Sequence, residues 1–600
     1  MRTVYITWRR VLPAVCFVLF IIILCIEYRS TTVEPHDLIV RKSNHFPGQL
    51  TMKQKTTFNE DGQFGNFEVD EKRRKGPGEA GKPHRLRPDQ ETEENRLKGV
   101  YGFNQLVSDE ISLDRSVPDM REKECKHWNY PIDLPTASVI FIFHNEGWST
   151  LLRSVHSVIN RTPAQFLHEI VLVDDKSEMQ HLHEPLDEEL QKPFYQSKVK
   201  VVRNNEREGL IRARNNGAVI ASGEVLVFLD AHIEVGLNWL PPLLGPIYEN
   251  PRTLSVPIID GIRWDDFALY SNYGNGYSRG LFEWGMLYKE GPLPEKEKNK
   301  RQRKSEPFDS PTHAGGLFAI RRDWFKELGW YDPGLLIWGG ENYELAFKLW
   351  QCGGRSVWVP CSRIGHVYRG HSCSSCHSGD LGKKWGNYPL ALRNYKRLIE
   401  VWFDDKYKEF FYTREPLARF IDHGDISEQL ALKKRMNCKS FTWFMKEVAY
   451  DVLFKFPELP PNKHWGEIKN AENGQCIDTQ NHAPPGEIGT SGCHGLGGPQ
   501  LFRLNTKGQL TSGEWCIVHA PNFQKGHKEF HLIVSRCKYG SVNGPWSYDE
   551  ETLFLKNNEE NKCVAVDSVT RKLVMERCNH QKINQQWKFS EIKPHRKTNF

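Results

Sequence analysis

The sequence has little charge of one sign: 81 Lys and Arg face 75 Asp and Glu over 600 residues, a formal net charge of +6. No basic block exceeds short runs such as Lys72, Arg73, Arg74 and Lys75, which argues against nucleic acid as a partner. Long apolar runs are equally scarce. The one near the start, VLPAVCFVLFIIILCIEY at residues 11–28, is just long enough to span a thin bilayer as a helix. It lacks a clear small-residue cleavage site, because Glu27-Tyr28-Arg29 follows, so a signal anchor is expected in preference to a cleaved leader. Arg2, Arg9 and Arg10 would keep residues 1–10 cytoplasmic and place the rest in a lumen. Glycosylation sequons number one, Asn160-Arg161-Thr162, on a helix-like stretch. Fourteen cysteines, less Cys16 and Cys25 of the apolar run, leave twelve, an even number for a compartment that permits disulfides.

A chain of this length is expected to hold two or more domains. Residues 29–100 are rich in charge, Gly, Pro, Gln and Asn with little apolar periodicity, which predicts a flexible luminal stem. Folded structure is expected over 101–440, a linker over 441–462 and a second domain over 463–592. In the first domain a buried-strand pattern, Val139-Ile140-Phe141-Ile142-Phe143, precedes a helix-like stretch and a second strand, Glu169-Ile170-Val171-Leu172-Val173. Further strands at 199–202 and 225–229, flanking a helix-like run at 210–221, extend this βαβ rhythm into an open parallel α/β sheet. Ligands of such sheets bind beyond the carboxyl ends of the strands. Two strands end there in carboxylates, Asp174-Asp175 and Asp230, where a nucleotide and a metal should meet, although an Asp-Asp pair is also an ordinary solvated loop.

From about residue 465 the pattern changes to short segments separated by Gly, Asn and Pro, with a cysteine-centred unit that recurs three times. The units begin at Cys476-Ile477-Asp478, Cys516-Ile517-Val518 and Cys563-Val564-Ala565, and each is followed by a second cysteine, Cys493, Cys537 and Cys578. Three local disulfides are the economical pairing. Gln500-Leu501-Phe502 and Gln585-Gln586-Trp587 end the first and third units with Gln-x-aromatic, a pattern that resembles the ricin-type β-trefoil lectin.

The strongest local signal for chemistry is Asp230-Ala231-His232, directly after a strand. An Asp oxygen and a His nitrogen at this spacing can share a divalent ion and leave positions for diphosphate oxygens; a polar strand end with a hydrogen-bonded His fits the spacing equally well. Two further stretches favour the metal. Trp338-Gly339-Gly340-Glu341-Asn342 places a carboxylate at a helix start, and its glycines permit close approach of a sugar to the backbone. Gly365-His366 offers a third ligand, and Arg369 a charged donor to a phosphate.

Taken in order, Asp174-Asp175, Arg207-Glu208-Gly209-Leu210, Asp230-Ala231-His232, Ala314-Gly315-Gly316, residues 338–342 and Gly365-His366 closely resemble the polypeptide N-acetylgalactosaminyltransferases. With the apolar run, the stem and the lectin repeats, the resemblance covers nearly all of the chain. It implies a GT-A fold with a mixed sheet, UDP-N-acetylgalactosamine as donor, Ser or Thr of proteins or glycopeptides as acceptor, retention of configuration, and residence in the Golgi membrane as a single-pass type II protein. It further implies Mn2+ held by Asp230, His232 and His366, nucleotide-side contacts from Asp175 and Arg207, and a donor region lined by His144, Gly315, Gly316, Trp338 and Arg369. Glu341 and Asn342 would lie at the reacting sugar. Phe282 and Trp284 stand where the family has aromatics that cradle the acceptor peptide, and core packing suits them as well. By the same resemblance Cys125 pairs with Cys361 and Cys352 with Cys438; Cys373 and Cys376 are left over, either to close a small disulfide loop or, less favoured because two further ligands are not evident, to hold zinc.

The chain departs from the family at residues 370–373, where many relatives carry a Pro-Tyr-containing lid, and at Ile142, where a Thr is common. In the first lectin unit Asp478 and His494 are the expected sugar contacts; Val518 and Ala565 replace the Asp in the other two. Two rival functions stay open: a GT-A enzyme using another UDP-sugar, since Asp-x-His and a parallel sheet serve many donors, and a luminal glycoprotein-binding lectin without catalysis, which the altered loop and Ile142 allow.

Overall fold

The computed structural model describes residues 55–60, 66–67, 74–274, 276–370, 373–374, 388–521, 530–537, 545–567 and 569–592. The expected anchor at 11–28, the start of the expected stem and Cys376 lie outside the described residues, among which no helix is long and apolar enough to cross a membrane.

The catalytic half is built on a ten-stranded sheet. Its four parallel strands, Val225–Asp230, Ala137–Phe143, Leu167–Asp174 and Val199–Arg203, lie side by side in that spatial order. The chain runs outward from Ala137–Phe143 through two neighbours and then returns to its other flank, so the order reverses between Ala137–Phe143 and Val225–Asp230. A crevice opens at such a reversal. Phe318–Arg321 inserts antiparallel between Val225–Asp230 and Thr253–Ile262, and Arg355–Val367 then runs parallel to Thr253–Ile262, which makes the sheet mixed.

Side chains alternate across the pleat. Val139, Phe141 and Phe143 pack on one face with Leu151, Leu152, Val155 and Val158 of the helix Trp148–Arg161. Ile140 packs on the other with Ile211 and Ala218 of Leu210–Ile220. Trp148–Arg161 stops at Thr162, which is extended because Pro163 follows it. Asn160 lies in its last turn and donates to Asp114 Oδ1 at 2.7 Å, so the sequon is part of a helix.

Two expected boundaries move. The later part of the expected stem is folded: Thr57–Phe58 pairs with Trp128–Asn129, and the helix Glu91–Tyr101 packs Leu97, Val100 and Tyr101 against Phe103 and Phe267. That helix is polar overall, carries Glu93–Arg96 and Glu94–Lys98 pairs, and ends at Gly102 with φ +76°, so its packing residues are too few to mark it by periodicity. Nor are residues 441–455 a linker. Phe441, Phe444, Met445 and Val452 are buried in the catalytic core, and Cys352–Cys438 fastens the segment before them.

The trefoil spans Asn462–Asn470 to Trp587–Ser590, and these first and last strands pair with each other. All three local disulfides form, 476–493, 516–537 and 563–578, as do Cys125–Cys361 and Cys352–Cys438. The second unit lacks the Gln-x-aromatic sequence, yet Trp546 fills the place: its Nε1 donates to Ile517 O at 2.9 Å, as Trp587 Nε1 donates to Val564 O at 2.8 Å. The trefoil seats on the catalytic domain through Leu501 and Ile592 against Leu417 and Ile421, and through Trp465 stacked on Phe420.

Candidate active site

A cleft of about 560 Å³ lies at the strand reversal. It is lined by His144, Asp175, Arg207, Asp230, His232, Gly315, Gly316, Trp338, Glu341, Asn342, His366 and Arg369, so the residues expected on the donor side and at the metal converge on one cavity. Phe282 and Trp284 are the exceptions. Phe282 is fully buried among Tyr343, Phe347, Phe403 and Phe444, and Trp284 is buried with its Nε1 donating to Phe456 O at 2.8 Å. The expected peptide cradle is therefore corrected to core packing: so many aromatic rings meet here that both side chains are withdrawn from the cleft.

Asp230 ends its strand, and the sheet brings the two imidazoles to it. His366 is in register with Ile233 on the short antiparallel pair Ile233–Val235, and Val367 N donates to His232 O at 3.0 Å, so His232 and His366 become neighbours with ring centroids 4.8 Å apart. The ligand atoms of Asp230, His232 and His366 all lie within 4.8 Å of one another. One carboxylate and two imidazoles suit a divalent first-row ion. The protonation states suit it too. Burial alone would raise the Asp230 carboxyl, but the bond and charge of His366, with His232 and Arg214, hold it far below the usual carboxylate range. Burial, aided by Arg369, lowers His232 against the pull of Glu146. The His366 Nδ1, on the side away from Asp230, has no hydrogen-bond partner among the described residues.

Glu146 and Arg214 were not among the expected residues. Glu146 Oε2 accepts from His232 Nδ1 at 2.9 Å and from Arg369 Nη2 at 3.2 Å, which turns His232 Nε2 toward the other ligands. Burial would raise this carboxyl too, yet His232 and Arg369 bring it down to about 2. Arg214 is buried on the helix Leu210–Ile220 and reaches Glu341 Oε1 at 3.4 Å and Asp230 Oδ1 at 3.8 Å. A signal existed for each: an acid two residues past the histidine of the first strand end, and an arginine in register with the apolar positions Ile211 and Ala218 of its helix.

Glu341 begins the helix Glu341–Gln351, and its Oε2 accepts from Gly339 N at 3.0 Å. Gly339 and Gly340 sit at φ +99° and +91°, where a side chain would be strained, and Trp338 beside them is 60% exposed to the cleft. Gly316 has a different reason to be glycine: a Cβ there would stand 2.5 Å from Asp230 Oδ2. Asn342 Nδ2 donates to His313 O at 3.1 Å. Asp175 lines the cleft, but its carboxylate is already engaged, accepting at 2.9 Å from Asn204 Nδ2, Arg207 Nη1, Glu208 N and Gly209 N. It shapes the loop that presents Arg207. His144 Nδ1 is tied to Asp175 O at 3.0 Å.

In the trefoil, Asp478 and His494 meet around Gln500, whose Nε2 donates to Asp478 Oδ2 at 3.0 Å and whose Oε1 accepts from His494 N at 3.1 Å. Ser491 and Gln480 also donate to Asp478, which is 6% exposed, while His494 is exposed.

Sheet, metal cluster and repeats together define a glycosyltransferase of GT-A fold joined to a ricin-type trefoil. Residues 138–329 match glycosyl transferase family 2, 298–372 the N-terminal domain of galactosyltransferase, and 464–587 the ricin-type beta-trefoil lectin domain. The chain is 54% identical over 533 residues to N-acetylgalactosaminyltransferase 7 of Drosophila melanogaster, which covers 88% of both chains. To polypeptide N-acetylgalactosaminyltransferase 10 of Homo sapiens it is 41% identical over 527 residues, 86% of this chain and 84% of that one. A crystal structure of GalNAc-T7 with UDP, GalNAc and Mn2+ matches with a TM-score of 0.82 at 41% identity, over 91% of this chain and 99% of that one. The chain belongs to the polypeptide N-acetylgalactosaminyltransferase family.

Proposed function

We propose that this protein transfers N-acetylgalactosamine from UDP-N-acetylgalactosamine to Ser or Thr hydroxyls of polypeptides, with retention, and that Asp230, His232 and His366 hold Mn2+. The observation that carries the reading is the cluster of one ionised carboxylate and two imidazoles at the strand reversal, within the same cleft as Glu341. When bound, the cation offsets the negative charge gained by the departing diphosphate. Arg207 and Arg369 supply fixed positive charge along the same wall, and the glycines 315, 316, 339 and 340 let the sugar lie against backbone. Arg214 holds Glu341 in place, and Glu341 with Asn342 orients the sugar and the acceptor hydroxyl. The hydroxyl oxygen bonds to the anomeric carbon on the face from which the phosphate oxygen leaves, and that oxygen takes the hydroxyl proton.

Glu341→Gln keeps the size of the side chain and is expected to lower transfer by about 10²–10³-fold while UDP still binds in the presence of Mn2+. A fully active variant, or wild-type protein that transfers only glucose or galactose from a panel of UDP-sugars, would overturn the reading. Asp478 and the exposed His494 are proposed as the sugar contact of the trefoil. Asp478→Ala should then reduce activity on peptides already bearing N-acetylgalactosamine more than on naked ones, and equal effects would count against it. Residues 11–28, flanked by Arg2, Arg9 and Arg10, support a Golgi type II anchor. Protease added outside sealed Golgi vesicles should leave the catalytic and lectin domains intact, and their digestion would contradict that orientation.

A further inference from the structure

One wall of the cleft comes from a hairpin that also touches the trefoil. Ser278–Phe282 and Tyr288–Pro292 pair antiparallel, and the turn between them carries Met286, Leu287 and Tyr288 into the cleft lining. The turn is folded around one side chain. Glu283 Oε1 accepts from Gly285 N at 2.9 Å and Leu287 N at 3.3 Å, while the main chain closes with Met286 N to Glu283 O at 2.9 Å and Glu283 N to Leu287 O at 3.2 Å.

The remaining Glu283 oxygen faces away from the cleft and accepts from Arg414 Nε at 3.1 Å. Arg414 is buried, pairs with Glu415 at 2.6 Å and lies at the domain boundary, its Nη2 within 3.9 Å of where a Cβ on Gly513 would stand. Across the boundary the buried Arg503 of the trefoil donates to Gly513 O at 2.6 Å. Burial, together with the like charge of Arg414, pushes Arg503 down to about 9 against the pull of Glu415 and Glu283. Glu514, at the turn between Leu510–Ser512 and Trp515–Pro521, then pairs with Lys289 of the hairpin at 2.7 Å. A cavity of about 250 Å³ at this boundary is lined by Glu283, Arg414, Arg503 and Glu514, so charged groups of both domains face one another here.

We infer that Lys289 and Glu514 are positioning residues: the second unit of the trefoil sets the cleft wall at Met286, Leu287 and Tyr288 and thereby supports transfer whether or not the trefoil binds a sugar. The inference rests on the proposed transfer reaction only for its kinetic readout. The side chains of Lys289 and Glu514 are about a quarter exposed, 27% and 24%, so their pair contributes little to folding. It contributes geometry instead, because displacement of a cleft wall by about 1 Å can cost up to 10²-fold in rate.

The test is a charge-reversal cycle. Glu514→Lys and Lys289→Glu are each expected to lower kcat/KM on a naked Thr peptide by roughly 10-fold, mainly through KM, with an unchanged melting temperature; the double variant should recover most of the loss. Hydrogen exchange supplies a second reading that needs no turnover: amides of residues 285–288 should lose protection in either single variant and regain it in the double. Normal exchange and normal kcat/KM in both single variants, failure of the double to recover, or a loss that follows the melting temperature would overturn the inference. If wild-type protein transfers to no peptide at all, the proposed reaction fails, while the exchange data still decide the role of the pair.

Discussion

Glu146→Gln isolates a buried carboxylate that serves the metal cluster without belonging to it. In the wild type, Glu146 Oε1 accepts from Gly147 N at 3.0 Å and Oε2 from both His232 and Arg369. An amide has one acceptor and one donor end, so either orientation of the substituted side chain sets N–H against N–H: toward Gly147, or toward His232 and Arg369. The second arrangement can be relieved only by moving the His232 proton to Nε2, the atom needed for the ion. A lost charge-assisted hydrogen bond costs about 1.5–3 kcal/mol. Loss of such a supporting partner generally weakens metal binding by about 10–100-fold, or about 1.4–2.8 kcal/mol, so the two routes to the magnitude agree. Calorimetric titration of Mn2+ into the UDP-saturated protein should therefore give a Kd about 10–100-fold weaker than wild type, and saturating Mn2+ should restore most of kcat. Mn2+ affinity within about twofold of wild type would refute the argument, as would a kcat that stays low at saturating metal.

Gly316→Ala places a methyl against Asp230 Oδ2, and relief of that overlap should cost about 1–3 kcal/mol; Mn2+ titration is expected to show binding weakened about 10-fold with the fold retained, and unchanged affinity would mean the backbone yields freely. His313 is buried with neither ring nitrogen hydrogen-bonded among the described residues, and burial, with Arg214 nearby, pushes it down to about 3. Its folded pKa is thus depressed below the ordinary 6.5, so its full contribution is present above pH 6.5 and is lost as the unfolded chain takes up the proton below that. The loss between about pH 7 and pH 5 should be about 2 kcal/mol, and urea unfolding of His313→Leu should show a pH slope flatter by that amount; equal slopes would place the proton elsewhere.

What the sequence made legible is what is local or periodic. Asp230 and His232 could be found because they end a strand, and the cysteine units because they repeat. Glu341 was visible through the glycines before it, whose positive φ values the structure accounts for. Glu146 and Arg214 act on residues 86 and 127 positions away, His232 and Glu341, so the local signal at each position does not reveal what it touches. Phe282 and Trp284 stand at positions that suggested a peptide surface, but whether an aromatic faces a cleft or a core depends on the other rings that reach it, here from residues 403, 407, 410, 441 and 444. The helix Glu91–Tyr101 was missed for the opposite reason: it has so few apolar residues that only its tertiary contacts reveal why it forms.

The folding of residues 74–111 onto the catalytic domain bears on where a secreted version can be cut. Phe103 lies 6.4 Å from the His232 ring, Tyr101 O receives Arg369 Nε at 3.0 Å, and the carbonyls of Ser108 and Ile111 receive Arg153. Trimming the chain after residue 100, where composition stops looking like a tether, would remove Leu97 and Val100, the helix cover packed into the cluster of Phe103 and Phe267 from which these contacts are made. A soluble form that keeps everything from residue 55 onward retains that cover, and also the short strand that pairs with Trp128–Asn129.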